Sequence, residues 1–204
     1  KGFRYALPED AFGALALLKN GCGDPEGFAT FEAEYYAAEE PVTAGLGSMV
    51  HRHDVDKLLR LAFQMRRGCP RRLGPGARVG SYADALFMGE DGRGVVAVAT
   101  TPARHVVGWG FFLSTGNACE RHTHVFDYEL HPNYEAAAGD LLADWLRLAH
   151  AEGIRRVFAY SSAVDRERLA VLSSGGFSEC ARLPEACTHG DSVVDEVVHL
   201  WTGG

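Results

Sequence analysis

Between residues 121 and 177 the chain reads strand, tight turn, amphipathic helix, strand, helix and Gly-Gly-Phe, an order that few folds accommodate. The first strand covers 121–130, and His131-Pro132-Asn133-Tyr134 turns out of it. The helix that follows carries Leu141, Leu142, Trp145, Leu146 and Ala149 at the i, i+3/i+4 spacing that makes one buried face. A second strand is predicted at 155–160. The helix opening at Asp165 ends in Gly175-Gly176-Phe177, where a glycine takes the left-handed conformation that closes a helix and the Phe tucks beneath it.

The 204 residues suffice for one well-packed domain, and 47% of them are hydrophobic. No stretch reaches the roughly 20 uninterrupted apolar residues of a membrane span, which argues against a membrane partner. A formal net charge of -7 argues against a general nucleic-acid binder, whose affinity rests on clustered Lys and Arg. The one basic cluster is Arg66, Arg67, Arg71 and Arg72. Five cysteines without a Cys-x-x-Cys pair indicate neither a disulfide framework nor a zinc ribbon, and reduced thiols fit a cytoplasmic location.

Upstream, residues 3–7 read as a short extended run, and 8–20 and 26–38 as helices. Residues 41–48 read as a connection, 49–52 as a short strand and 54–66 as a helix with Val55, Leu58, Leu59, Ala62 and Phe63 on one face. The Gly- and Pro-bearing stretch 68–80 is predicted to be a loop. Strands follow at 85–88, 95–100 and 106–113, and a closing hairpin at 177–201 turns at His189-Gly190-Asp191.

From residue 85 to residue 201 this succession resembles the GNAT superfamily of acyl-CoA acyltransferases. The resemblance implies an α/β fold, a mixed and mostly antiparallel sheet flanked by helices. Residues 48–204 would then form the acyltransferase-like domain, with 1–47 a helical extension packed on it. A second framing begins the domain at 3–20, since both segments offer an extended run followed by a helix.

In that superfamily the loop after the long strand holds the pyrophosphate of coenzyme A on backbone N–H groups at a helix N-terminus. Here the loop is shortened and degenerate. Ala136, Ala137 and Ala138 stand where the family's last Gly-x-Gly falls, Gly139 is the only glycine, and Glu135 occupies the place of a cation. One reading keeps the phosphate contact, because the donor is backbone and not side chain. The other makes Asn133 the cap of an ordinary helix, with Glu135 and Asp140 satisfying its dipole. Cofactor-binding positions implied by the resemblance are Leu130, Ala136, Ala137, Ala138, Gly139 and Asp165. Leu172 stands where the family commonly has a Tyr that protonates the departing thiolate.

Acyl transfer to an amine needs a base. Strand 121–130 presents His124 on one face with Phe126, Tyr128 and Leu130, and Asp127 with Glu129 on the other. His124 is the first choice, because imidazole titrates near neutrality; Asp127 and Glu129 follow. Each could equally be a solvated or ion-paired side chain. The pairs His51-x-His53 and His122-x-His124 lack a third and fourth ligand at fixed spacing, so no metal site is expected. The resemblance thus implies acetyl-CoA, or another acyl-CoA, as co-substrate and direct N-acylation of a small-molecule or peptide amine. The alternative is a non-catalytic binding or regulatory module that has lost coenzyme A. Residues 1–47 would dock on the core or on a second copy of the chain, making a homodimer.

Overall fold

A computed structural model describes residues 40–52, 54–55, 94–114, 118–120, 122–189 and 192–203. The segments predicted at 3–7, 8–20, 26–38, 68–80 and 85–88, and the helix 54–66 beyond residue 55, lie outside the described residues.

Among the described residues seven strands build one sheet: β1 (Thr43–Leu46), β2 (Gly94–Thr100), β3 (Val106–Ser114), β4 (Thr123–Leu130), β5 (Arg156–Ser162), β6 (Ser178–His189) and β7 (Ser192–Thr202). Their order is β1-β2-β3-β4-β5-β7-β6. Every neighbouring pair is antiparallel except β4 and β5. That parallel pair requires a crossover, which helix α1 (Ala138–Ala151) supplies. Helix α2 (Arg166–Ser174) then leads from β5 into the β6–β7 hairpin.

Two upstream segments differ from the sequence reading. Residues 41–48 contain the edge strand β1, whose Thr43 to Leu46 pair with Thr100 to Ala97 of β2, so this stretch is part of the sheet and not a connection. Its Gly and small residues are compatible with either state, and backbone pairing to β2 decides. Met49–His51 form a single 3-10 turn instead of a strand, because His51 Nδ1 accepts the Ser48 N–H at 3.0 Å and curls the chain back.

The core lies between the sheet and α1. Leu141, Leu142, Trp145, Leu146 and Ala149 are buried as their spacing predicts, against Ala97, Ala99, Phe112, Phe126 and Leu130. Trp145 sits over Phe126 and Tyr128, at centroid distances of 6.5 and 6.3 Å. Gly110 makes this approach possible, since a Cβ there would lie 2.9 Å from Trp145 Cε3. Gly176 takes φ +85 to close α2, and Phe177 is buried beneath it, as the Gly-Gly-Phe signature implied. On the other sheet face Trp109 and Phe111 stack at 5.1 Å, in register with Glu129 and Asp127. No helix among the described residues is long and apolar enough to cross a membrane.

Candidate active site

The parallel pair is short. Its register runs from Thr123↔Arg156 to Phe126↔Ala159 and stops. Beyond it Asp127 to Leu130 stay paired with β3, while Tyr160 to Ser162 stay paired with β7. The centre of the sheet therefore opens between β4 and β5, and their next residues face one another across a gap.

One wall of the gap is Tyr128. Its N–H donates to Asp127 Oδ1 at 2.9 Å and its C=O accepts from Arg168 Nη1 at 3.4 Å. Arg168 comes from the first turn of α2, lies over the Tyr128 ring at 4.6 Å and forms an ion pair with Asp127. Side chains thus supply hydrogen bonds that β5 no longer gives at this level. Burial opposes the charge on Arg168, but the Asp127 carboxylate outweighs it and holds the guanidinium pKa above its ordinary value. Burial pushes the Tyr128 hydroxyl up, with Arg168 pulling the other way, so this phenol is neutral at physiological pH. Arg168 Nε is buried and without a hydrogen-bond partner among the described residues.

The other wall is β5 with β7 behind it. Ser161 is two residues past the last β4–β5 pair, level with Tyr128 across the gap. Its Oγ is 2.8 Å from Nε2 of His199 on β7, and both side chains are buried. Burial lowers the His199 pKa; Glu179, its register partner on β6, opposes this, while the Arg168 and Arg182 charges add to it. His199 is accordingly a neutral imidazole near pH 7.

The residues proposed from sequence fall into three groups. Asp127 and Glu129 are at the open end of β4, and Leu130 closes the strand packed over Gly108. His124 is in the closed, paired part, opposite Ser114 and Val157. Six residues of strand put it about 20 Å from Leu130. It is buried, its Nδ1 has no hydrogen-bond partner among the described residues, and desolvation lowers its pKa.

The third group is the loop. His131, not Asn133, is the cap: its Nδ1 accepts the Asn133 N–H at 3.3 Å and its C=O accepts the Tyr134 N–H at 2.8 Å. A 3-10 helix over Pro132–Ala137 runs directly into α1, and the Ala138 N–H donates to Glu135 O. Ala136 is exposed, Ala137 and Gly139 are half-buried and Ala138 is buried. A Cβ on Gly139 would meet Ser174 at the far end of α2. Asp165 is at the opposite end of that helix, about 13 Å away by its length, and its Oδ1 accepts the Arg168 N–H at 3.1 Å as N-cap. Leu172, one turn beyond Arg168, is fully buried in the core.

Sequence reasoning passed over Arg168, Ser161 and His199. The signal for the last two was alternation: Ser161 extends the buried series Val157 and Ala159, and His199 falls between Val197 and Trp201 on one face of β7. For Arg168 the signal was the three-residue spacing from the capping Asp165.

No protein-family model matches the sequence. No curated protein matches it either. Solved structures do match. An acetyltransferase of the GNAT family from Streptococcus pneumoniae superposes with a TM-score of 0.63 at 12% identity, over 80% of this chain and 100% of its own. The protein yncA from Salmonella typhimurium, solved with its cofactor acetyl-CoA, gives 0.63 at 16% identity over 79% of this chain and 93% of its own. A spermidine N-acetyltransferase variant from Vibrio cholerae gives 0.63 at 11% identity over 79% and 93%. Matched in this way over about four-fifths of its length, the chain has the fold of the GNAT acetyltransferases.

Proposed function

We propose that this protein is an acyl-CoA-dependent N-acyltransferase, an acetyltransferase in the first instance, acting on the amine of a small molecule or peptide by direct transfer in the cytoplasm. The observation that carries this reading is the gap between β4 and β5 at the centre of the sheet. A slot with strand edges on both sides suits an extended, amide-bearing arm such as that of acyl-CoA, which can hydrogen-bond like a third strand. Matching structures include one solved with acetyl-CoA and one whose activity is spermidine acetylation, which supports an amine acceptor. The acyl-CoA would run from the open end of β4 at Leu130 toward Ala136, Ala137, Ala138 and Gly139, with Asp165 at the start of α2. The activated thioester is its own source of chemical driving force. The chain's part is to hold it, to orient the amine and to move protons, with Asp127, Glu129 and His124 as the acid–base groups proposed from sequence.

A second reading, a binding or regulatory module without coenzyme A, is supported by Arg168. Its guanidinium already bonds the Tyr128 carbonyl and Asp127 on the β4 wall of the gap. Titration with acetyl-CoA separates the two. A ligand that binds only the folded state raises its stability, by about 2.7 kcal/mol at a hundred times Kd. A rise in Tm that saturates with acetyl-CoA is the expected result; an unchanged Tm up to millimolar ligand selects the second reading.

A further inference from the structure

We propose that Ser161 and His199 form the proton shuttle of this site, with Ser161 the group that touches the reacting amine and His199 acting through it. The inference rests on the acyltransferase reading and gives the proton-moving role to this pair in place of Asp127, Glu129 and His124.

Two features point to this pair. Counted on from the last β4–β5 pair, Phe126↔Ala159, Ser161 is at the level of Tyr128 on the β5 side of the gap, where an amine held at the open end of β4 would approach it. The imidazole behind it is buried, bonded to Ser161 Oγ at 2.8 Å, and flanked by Arg168 on α2, Glu179 and Arg182 on β6 and Ser161 on β5. A neutral imidazole whose Nε2 faces a hydroxyl is the arrangement that lets a serine accept one proton while surrendering another.

The steps balance as follows. When the amine has added to the thioester carbonyl, its ammonium nitrogen loses a proton to Ser161 Oγ as the hydroxyl proton passes to His199 Nε2. The C–S bond then breaks. The imidazolium returns its proton through Ser161 to the departing sulfur, leaving an amide, a thiol and the neutral pair. One relay thereby serves as base and as acid. This removes the need for a donor at position 172, where the buried Leu172 has no proton to give.

The test uses the full chain, acetyl-CoA and a panel of primary amines that includes spermidine. Ser161→Ala should lower kcat by about a hundred-fold, the lower range for a positioned acid–base group, with KM for acetyl-CoA unchanged. Ser161→Thr, which keeps a hydroxyl, should recover much of that loss. In the parent protein kcat should rise with pH below the ordinary imidazole value of 6.5 and then level. His199→Gln can still hydrogen-bond Ser161, and it should abolish that acid limb. Retained kcat in Ser161→Ala, or an unchanged acid limb in His199→Gln, overturns the shuttle and leaves the acyltransferase standing. No acetyl transfer to any amine by the parent protein overturns both. If Ser161→Ala fails to fold, Ser161→Thr with His199→Gln still decides, because a merely structural pair would lower Tm without altering the pH profile.

Discussion

Asp127 is held in an ion pair whose side chains are only 11% (Arg168) and 18% (Asp127) exposed. Removing one partner of such a pair leaves the other charge buried and uncompensated, which costs about 3–5 kcal/mol. Asp127→Asn should therefore destabilise the protein by that order in chemical denaturation. Adding Arg168→Met should recover most of the loss; an additive double variant would show that the two residues are energetically separate. The same residue scale sets the pH response. Burial lowers the pKa of both His124 and His199, so the unfolded chain binds more protons than the folded one between the depressed values and 6.5. Stability should be full above pH 6.5, fall as pH drops through the depressed values and flatten below them. Melting curves from pH 8 to pH 4.5 check this, and His124→Phe should make the fall shallower. A third residue-scale outcome concerns Gly139, where a side chain meets only Ser174 Oγ at 3.7 Å. Gly139→Glu should fold normally and weaken acetyl-CoA by roughly tenfold or more if phosphates lie there, since close like charges repel by several kcal/mol at intermediate dielectric. Calorimetric titration with Gly139→Ala as control reads the difference.

At the scale of elements, α1 packs closely on β3 at Gly110. Gly110→Val would drive a methyl group into Trp145 and Phe126, and overpacking of this kind costs about 1–3 kcal/mol. A matching fall in denaturation midpoint, without change in strand content, is expected. This element pair also explains what could be read in advance. The apolar stripe of α1 and the Gly-Gly-Phe ending of α2 are periodic and local, so spacing alone revealed them. Strand β4, which carries Asp127, Glu129 and Leu130, was legible in the same local way. Ser161, His199 and Arg168 were not, because they belong to three elements brought together by the β5–β7 register and the seating of α2, and no short-range pattern encodes that meeting. Of the two readings of the loop, the one with Asn133 as cap missed His131 for a related reason. His131 and Asn133 are both competent to cap a helix, and with His131 as the cap the first helical residue is 132, two positions earlier than an Asn133 cap implies.

For the whole molecule, the division at residue 47 remains a proposal, and β1 changes how it must be tested. Removing 1–47 takes away the strand that covers the edge of β2, whereas removing 1–39 leaves β1 in place. Residues 1–47 carry eight acidic and three basic side chains together with large apolar ones that include Phe3, Tyr5, Phe12, Leu15, Leu17, Leu18, Phe28, Phe31, Tyr35 and Tyr36. Burying each contributes on the order of 1.5–3 kcal/mol, so loss of 1–39 should already lower Tm or solubility, and loss of 1–47 should lower it further. Equal Tm and equal oligomeric state in the parent and the shorter deletion would make 1–39 dispensable. The strand order carries a kinetic consequence as well. The β6–β7 turn joins His189 to Ser192, whereas β1 must find residues more than fifty positions away, at Thr100. Closing the longer loop is entropically dearer, so the C-terminal hairpin should be ordered in the folding transition state and β1 should dock last. Substitutions in β7 would then slow refolding, while those in β1 would chiefly speed unfolding.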